Sequence, residues 1–478
     1  MKILFDNMTN VKKFLSNPKH NAMSTLVFIT FFLLIGPLLP GVNWFSLGDF
    51  SLDMVNFFHT VMVPFVFLLL IYTSELLNLY PIERKAVNLS TYPVLFLTLL
   101  GLIFFYPANT QNLDYVIQAL RDVWMLVLAI LFFVSLIMFP FREKDRFRKI
   151  WGAYLVVLVG TVSIGIASIM GMIYEYGSLF GYSSLSWFNN DVAAWGGLNT
   201  FLGNILTSHS HQMLPALMGG IVALATICFG YEKLPMVKRN IVNIGLLIAV
   251  FGIISMSYLY FISSFGTYTI PAIFISGAYG MNGLALDDSQ TGIVGIGALV
   301  TIIGLYYTLS SRRSDKLLQA SEMYTWIATM AVMTVVGYSI EFNETYYGFG
   351  SSGVPPNGGS GYQFDMAFTD GHLLFAFFLM PLLAGIILVF IHFIKEHDVM
   401  KKTVALFAGA GITIGGLGVL VYTMTLSWYI EAIGLGLVIV SILIMTLLFM
   451  ETPITNFIHL LNPGKQPNRK PLKKNEAR

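Results

Sequence analysis

Histidine side chains recur within the long apolar segments of this chain, where polar side chains are costly to bury. Four of them are predicted to lie near the same face of a membrane: His59, His209, His211 and His372. An ionisable side chain inside a bilayer usually serves a function. Imidazole is suited to ligating a metal or a heme and to handling protons. The four histidines therefore favour a membrane redox protein.

The chain that carries these histidines is predicted to be an all-α polytopic membrane protein. Its 478 residues are 56% hydrophobic and only 11% charged, a composition that cannot cover the surface of a soluble domain of this size. Apolar runs long enough to cross a bilayer predict about twelve transmembrane helices. They lie at approximately 22–40, 53–77, 91–106, 118–139, 150–174, 199–229, 240–262, 290–309, 322–341, 366–395, 403–424 and 428–450.

The charges of the connecting loops predict the orientation. Basic loops, such as 141–149, alternate with neutral or acidic ones, such as the loop around Glu344. Under the positive-inside rule this alternation indicates a multi-pass protein of the cell (plasma) membrane with both N and C termini cytoplasmic. The whole chain is then one transmembrane domain. Its predicted parts are a cytoplasmic N-terminus at 1–21, a helical bundle at 22–450 and a basic cytoplasmic tail at 451–478.

The single cysteine, Cys228, restricts the cofactor chemistry. One thiol excludes a disulfide framework, an iron–sulfur cluster ligated within the chain, and covalent heme attachment through Cys-x-x-Cys-His. Any heme must therefore be bound noncovalently. The net charge of +2 follows from the loop pattern and gives no reason to expect nucleic acid as a partner.

The eleventh predicted span contains the run Gly-Ala-Gly-Ile-Thr-Ile-Gly-Gly-Leu-Gly at 409–418. No strand precedes this run and no Lys-Ser/Thr follows it, so it is not a phosphate-binding loop. Small residues instead allow two membrane helices to approach closely. The run therefore predicts a tightly packed helix pair.

The histidine-bearing spans are the second, sixth and tenth, with about 150 to 160 residues between successive sites. Such regular spacing predicts an internal repeat of three blocks of four helices. The repeat would place equivalent histidines at similar depth on three related helices. Two axial histidines on facing helices at one depth are what a low-spin, b-type heme requires in a helix bundle.

This arrangement resembles subunit I of the heme-copper oxidase superfamily, which includes cytochrome oxidases and nitric oxide reductases. The stretch Asp-Gly-His-Leu at 370–373 is similar to His-Gly-His-Leu of nitric oxide reductases, and Phe-His-Thr at 58–60 is similar to the second-span ligand segment. The resemblance implies three four-helix arcs and a low-spin heme held by His59 and His372. It also implies respiratory electron transfer, with membrane lipids, an external electron donor and other respiratory-complex subunits as partners.

Departures from the family pattern imply an altered or absent high-spin heme/copper site. Asp370 replaces the first histidine of the tenth-span pair, and the seventh span has no histidine. His209 and His211 occupy the sixth span, where the family has a metal ligand, and they are the candidates for a second heme, copper or iron centre. Residues two apart on a helix point roughly 200° away from each other, so the two bind one ion only if Pro215 distorts the helix. The chain is an oxidoreductase only if such a second centre exists.

The same topology is equally typical of a secondary transporter, in which polar His and Asp side chains line a substrate or proton path. The residues assigned to a proton path are Asp370, Glu75 and Glu431. Further carboxylates in or at the ends of spans are Asp122, Glu175 and Glu341. Several of these carboxylates lie close enough to a span end to be solvated.

Structural roles remain open for the same residues. Asp370 can cap the tenth helix, because aspartate commonly accepts hydrogen bonds at a helix start. Buried histidines can also simply hydrogen-bond to neighbouring helices. A third function is then a noncatalytic membrane scaffold of a respiratory complex.

Overall fold

The described part of the chain is helical. The computed structural model describes residues 15–42, 52–107, 109–181, 186–194, 196–263, 265, 284–347, 378–425 and 428–461. No strand occurs within these residues, so the all-α prediction is confirmed. Among them, nine helices are long and apolar enough to cross a bilayer, and two shorter apolar helices accompany them. The protein is therefore a multi-pass membrane protein.

Thirteen helices make up the described bundle. In chain order they are α1 (Pro18–Ile35), α2 (Leu52–Leu76), α3 (Pro81–Phe105), α4 (Gln111–Arg142), α5 (Lys144–Phe180), α6 (Asn189–Ala194), α7 (Leu198–Cys228), α8 (Met236–Ser263), α9 (Leu284–Leu305), α10 (Arg313–Tyr347), α11 (Met380–Phe393), α12 (Asp398–Thr425) and α13 (Tyr429–Leu461). Apart from the short α6, each helix overlaps one predicted span. The number of membrane crossings itself stays a prediction.

Several helices extend beyond their apolar cores. Helix α3 begins at Pro81, whereas the apolar span was placed from 91 onward. Helix α5 runs to Phe180 and α13 to Leu461, so the start of the predicted basic tail is helical. The span estimates are shorter because hydropathy falls at the membrane surface, whereas backbone hydrogen bonding continues there.

Helix α1 shows how local sequence sets a helix start. The Asn17 side-chain oxygen accepts hydrogen bonds from the backbone N–H groups of Lys19 at 3.0 Å and His20 at 3.3 Å. Pro18 occupies the first helical turn, where its missing N–H group leaves no hydrogen bond unmade. Asparagine followed by proline therefore fixes where the first span begins.

Helices α2, α7 and α11 form the centre of the bundle and contact one another. The apolar segments of α2 and α7 are 78% and 76% buried, whereas that of α4 is 39% buried. These three central helices are the second, sixth and tenth predicted spans. The helices on which the sequence places its four histidines therefore meet inside the protein, and the other long helices surround them.

Helices α12 and α13 pack closely through glycines. A methyl group at Gly411 would lie 2.9 Å from the backbone nitrogen of Val438 and 3.0 Å from the carbonyl oxygen of Gly434. Gly434 in turn lies directly against the backbone of Gly415. Only residues without side chains allow two helix backbones to come so near. The close packing predicted from the glycine run is therefore confirmed.

Candidate functional site

A small cavity lined in part by ionisable side chains lies where α2, α4, α5 and α7 meet, on the side of the bundle that the loop charges predict to be external. Its volume is about 50 Å³. We call its six ionisable residues other than tyrosine the acid–histidine cluster. They are His59, Asp114, Arg121, Asp122, Glu175 and His209. The remaining lining residues are Val55, Asn56, Phe105, Tyr115, Gln118, Gly171, Tyr174 and Leu206.

Helix α4 supplies a hydrogen-bonded chain of side chains to this cavity. The Gln118 amide donates to both carboxylate oxygens of Asp114 at 2.9 Å. The Arg121 guanidinium donates to the Gln118 side-chain oxygen at 3.3 Å. Residues three and four apart lie on one face of a helix, and this spacing presents the polar side chains of α4 together to the interior.

Arg121 is the one cation among the described residues that line the cavity. Its side chain is 3% exposed, and its Nε lies 3.6 Å from an oxygen of Asp122. The three carboxylates of the cluster are those of Asp114, Asp122 and Glu175. With every carboxyl ionised and both histidines neutral, the cluster would carry a net charge of −2. Buried charge without compensation is strongly disfavoured, so the site requires protons or another cation.

Glu175 brings a third carboxylate to the site from the end of α5. The side chain is 8% exposed, and it interacts electrostatically with Asp122, Arg121 and Asp114. Its Oε2 atom is buried and has no hydrogen-bond partner. The neutral form of a carboxyl group is favoured in this position. It is not repelled by the neighbouring carboxylates, and it costs less to bury than the charged form.

Gly171 makes room for the contact between α4 and α7. A methyl group at this position would collide with the carboxylate of Asp122. It would also lie 3.4 Å from the Cε1 and Nδ1 atoms of His209. The absence of a side chain on α5 at this point therefore allows an acid from one helix and an imidazole from another to share the same space.

A hydrogen bond at one ring nitrogen sets the tautomer of His209. Its Nδ1 lies 2.7 Å from the carbonyl oxygen of Ala167. A carbonyl oxygen can only accept, so Nδ1 carries a hydrogen and Nε2 is the nitrogen that can gain or lose a proton. The described geometry therefore orients one basic nitrogen of a buried imidazole within the cluster.

His59 lies beside His209, with 5.9 Å between ring centroids and 49° between ring planes. Its Nδ1 atom is buried, and the ring interacts electrostatically with Arg121 and His209. The preceding residues Phe57 and Phe58 contact Phe378, just before α11, with centroid distances of 6.2 and 4.7 Å. Successive helical residues are 100° apart, so the His59 ring reaches α4, α5 and α7 while its neighbours pack toward α11.

The other predicted site residues are distributed differently. His372 and Asp370 lie outside the described residues, and the His211 side chain is not described although its backbone belongs to α7. Glu75 lies at the opposite end of α2, 3.7 Å from Arg84. Glu431 is buried at the start of α13, against Gly418 of α12. Neither Glu75 nor Glu431 lines the cavity of the acid–histidine cluster.

Sequence analysis missed the importance of two acids and did not single out Arg121. Asp122 and Glu175 were treated with the carboxylates near span ends, several of which were expected to be solvated, yet their side chains are only 14% and 8% exposed. The available signal was the arginine beside an aspartate at the start of an apolar span. Such a pair inside a membrane segment requires internal partners.

The cavity of the acid–histidine cluster has the size to hold water. Its volume of about 50 Å³ accommodates a few waters, and the ionisable side chains of the cluster line it. Among the described side chains, no three His, Cys, Asp or Glu residues converge to hold a metal ion. Heme ligation by His59 and His372 stays a prediction, as does the pairing of His209 with His211, because each needs a side chain outside the described set.

No family model, curated protein or solved structure matches this chain.

Proposed function

We propose that this protein moves protons across the membrane, and that the acid–histidine cluster is the ion-coupling site of a secondary transporter. One observation carries the proposal: Arg121 is buried among three carboxylates and two imidazoles in the interior of a membrane bundle. Intramembrane groups of these types form proton relays in pumps and transporters. Their charge balance changes by one unit with each proton gained or lost.

The proton is favoured over a metal ion by the donor set. Arg121 repels cations and already pairs with Asp122 at 3.6 Å. The Nδ1 atom of His209 donates to Ala167, which leaves a single ring nitrogen for exchange. A proton needs one acceptor atom, whereas a stable metal site needs several that converge.

Coupling follows from the origin of the residues on four helices. His59, Asp122, Glu175 and His209 belong to α2, α4, α5 and α7, respectively. When a proton neutralises one acid, the electrostatic attraction that holds α4 to α5 and α7 changes. A ligand or proton that interacts differently with two arrangements shifts the balance between them. Protonation can therefore alter the helix packing that opens a transport path.

The test is proton flux in liposomes that enclose a pH-sensitive dye, driven by a potassium diffusion potential set with valinomycin. We expect the wild-type protein to acidify the lumen faster than empty liposomes, and Asp122→Asn to abolish the difference. Asp145→Asn is the matched control, because that side chain is 95% exposed at the start of α5. Equal proton flux in Asp122→Asn and the wild-type protein would contradict the proposal, as would a wild-type flux no greater than that of empty liposomes.

A second candidate is a heme-binding protein of respiratory electron transfer, as the resemblance to oxidase subunit I implies. The supporting observation is that the three helices bearing the predicted histidines are the buried, mutually contacting centre of the bundle. His59 and His372 would hold the heme, which would supply one-electron transfer when bound. The contacts of Phe57 and Phe58 with Phe378 bring the segment around His59 beside the residues just before α11.

An optical spectrum of the purified protein separates the two candidates. A reduced-minus-oxidised difference spectrum of a six-coordinate b-type heme, lost in both His59→Ala and His372→Ala, would support electron transfer. Iron, copper and heme content per chain would then reveal a second centre. If protein produced with ample heme shows no such spectrum, the heme-binding function is excluded and the transporter function is retained.

A further inference from the structure

A second buried polar group lies at the opposite end of the bundle, on the side that the loop charges predict to be cytoplasmic. Each of the three central helices contributes one residue to it: Tyr72 from α2, Cys228 from α7 and His392 from α11. Glu322 of α10 completes the group. Tyr72 lies 13 residues along α2 from His59, about 20 Å at 1.5 Å per residue. This group is therefore separate from the acid–histidine cluster.

Glu322 has no exposed surface, and no cation of the described residues pairs with it. Its relative exposure is 0%. One carboxylate oxygen, Oε1, accepts a hydrogen bond from the Trp326 indole at 3.1 Å. The other, Oε2, is buried without a hydrogen-bond partner, and Glu322 forms no ion pair with any described residue. A carboxylate isolated in this way is far less stable than the neutral acid, so a proton is the natural occupant.

Tyr72 and His392 connect Glu322 with the bundle end. Tyr72 is fully buried, and its hydroxyl lies against the Cys228 thiol. Its ring meets that of His392 edge-on, with 5.3 Å between centroids. Tyr72 also interacts electrostatically with both Cys228 and Glu322. His392 is only partly buried, so the three residues run from the interior toward solvent.

We propose that Glu322 is a second proton-binding residue, which exchanges its proton with the cytoplasmic side by way of Tyr72 and His392. The inference rests on the proposed proton transport and extends it to the other half of the membrane. During exchange the Glu322 carboxyl proton passes to the Tyr72 oxygen as the Tyr72 hydroxyl proton passes on to the His392 imidazole, so each bond to hydrogen that breaks is matched by one that forms. The imidazole releases its extra proton to the cytoplasmic side, and a proton that returns along the same path restores the Glu322 carboxyl. Hydroxyl and imidazole groups both donate and accept, which suits them to pass a proton on.

A purely structural role for Glu322 makes different predictions. In that case its only task is to accept the hydrogen bond of Trp326, which Glu322→Gln preserves through the amide oxygen. Trp326→Phe is the matched variant, because it removes the hydrogen bond and keeps the carboxyl group. Proton exchange requires the carboxyl and tolerates loss of the indole N–H, whereas a structural role requires only the hydrogen bond.

The first experiment is infrared spectroscopy of the full-length protein in liposomes. We expect a carbonyl band of a protonated carboxylic acid that is absent in Glu322→Gln, present in Trp326→Phe, and shifted after transfer into D₂O. Tyr72→Phe should slow the shift. A spectrum without a Glu322-dependent band, or a band that never shifts in D₂O, overturns the inference whatever the flux measurements give.

The second experiment is the liposome flux assay described above. We expect Glu322→Gln to reduce flux to that of empty liposomes, and Trp326→Phe to retain it. If Asp122→Asn abolishes flux and Glu322→Gln leaves it unchanged, Glu322 is not on the proton path. That result contradicts the inference about Glu322 and leaves the proposed proton transport standing. If the wild-type protein shows no flux at all, the proposed transport falls, and the infrared result alone decides whether Glu322 exchanges a proton.

Discussion

The hydroxyl oxygens of Thr30 and Thr446 lie 2.7 Å apart, although 416 residues separate them in the chain. Thr446 also donates a hydrogen bond to the carbonyl oxygen of Ile442 at 2.9 Å. A hydroxyl has one hydrogen to donate, so Thr30 is the donor in the contact with Thr446. This hydrogen bond joins α1 to α13, the first and last described helices, and closes the outer ring around the three central helices.

Thr30→Val should weaken this closure. It removes the donor while keeping a similar shape, and hydrogen bonds between membrane helices contribute about 0.6 kcal/mol on average. We expect a free energy of unfolding in detergent that is lower by roughly this amount. Thr403→Val is the control, because the Thr403 hydroxyl bonds only within its own helix, to Val399 at 3.1 Å. Equal losses in the two variants would contradict a role in ring closure.

Gly171→Ala should disrupt the acid–histidine cluster. The added methyl group meets the carboxylate of Asp122 and presses on His209, and overpacking of this kind costs about 1–3 kcal/mol. Gly165→Ala is a matched control on the same helix, since a methyl group there lies 3.9 Å from its nearest neighbour, the Ala129 side chain. Both variants gain the same helix propensity. We expect only Gly171→Ala to lower the melting temperature and the proton flux.

Arg121→Gln should be strongly destabilising at neutral pH. Removing one partner of a buried ion pair costs about 3–5 kcal/mol, because it leaves uncompensated charge behind. Combining it with Asp122→Asn should restore part of the loss, since the pair acts as a unit. Arg148→Gln, at a side chain 66% exposed, should have little effect. A loss in the double variant equal to the sum of the losses in Arg121→Gln and Asp122→Asn would show that the two side chains are not coupled. Unfolding by denaturant in micelles measures the free energy of unfolding of each variant and of the wild-type protein.

Asn243→Ala should destabilise the opposite end of the bundle. The Asn243 side-chain oxygen accepts hydrogen bonds from the Gly152 backbone N–H and from the Tyr231 hydroxyl, both at 3.1 Å. Burial raises the pKa of Tyr231, which keeps its phenol protonated and donating. Two buried donors left without an acceptor cost about 1–3 kcal/mol each. Ile244→Ala, at a side chain 53% exposed, tests whether a change of size alone matters, and thermal unfolding compares the two.

Composition was sufficient to predict an all-α polytopic membrane protein. Runs of apolar residues predict helices because a lipid environment forces the backbone to satisfy its own hydrogen bonds. The recurrence of histidine at His59, His209 and His372 identified the second, sixth and tenth spans, two of which the structure describes around their histidines. The internal repeat itself stays a prediction.

The composition of the site could be predicted only in part. His59 and His209 were recognised because imidazole is conspicuous in an apolar run. Asp122 and Glu175 were not recognised as partners, because hydropathy does not tell which face of a helix a side chain occupies. Gly171 carries no chemical signal of its own in the sequence. Its role emerges only when α4, α5 and α7 are brought together, which makes the decisive contacts tertiary.

The distance along the chain between His59 and His209 has a consequence for biogenesis. The ribosome must add 150 residues after His59 before His209 exists, which takes roughly 8–30 s at ordinary rates of synthesis. Throughout that interval α2 sits in lipid with an imidazole that lacks its final neighbours. Helix α2 therefore acquires its final neighbours only after α7 has been synthesised.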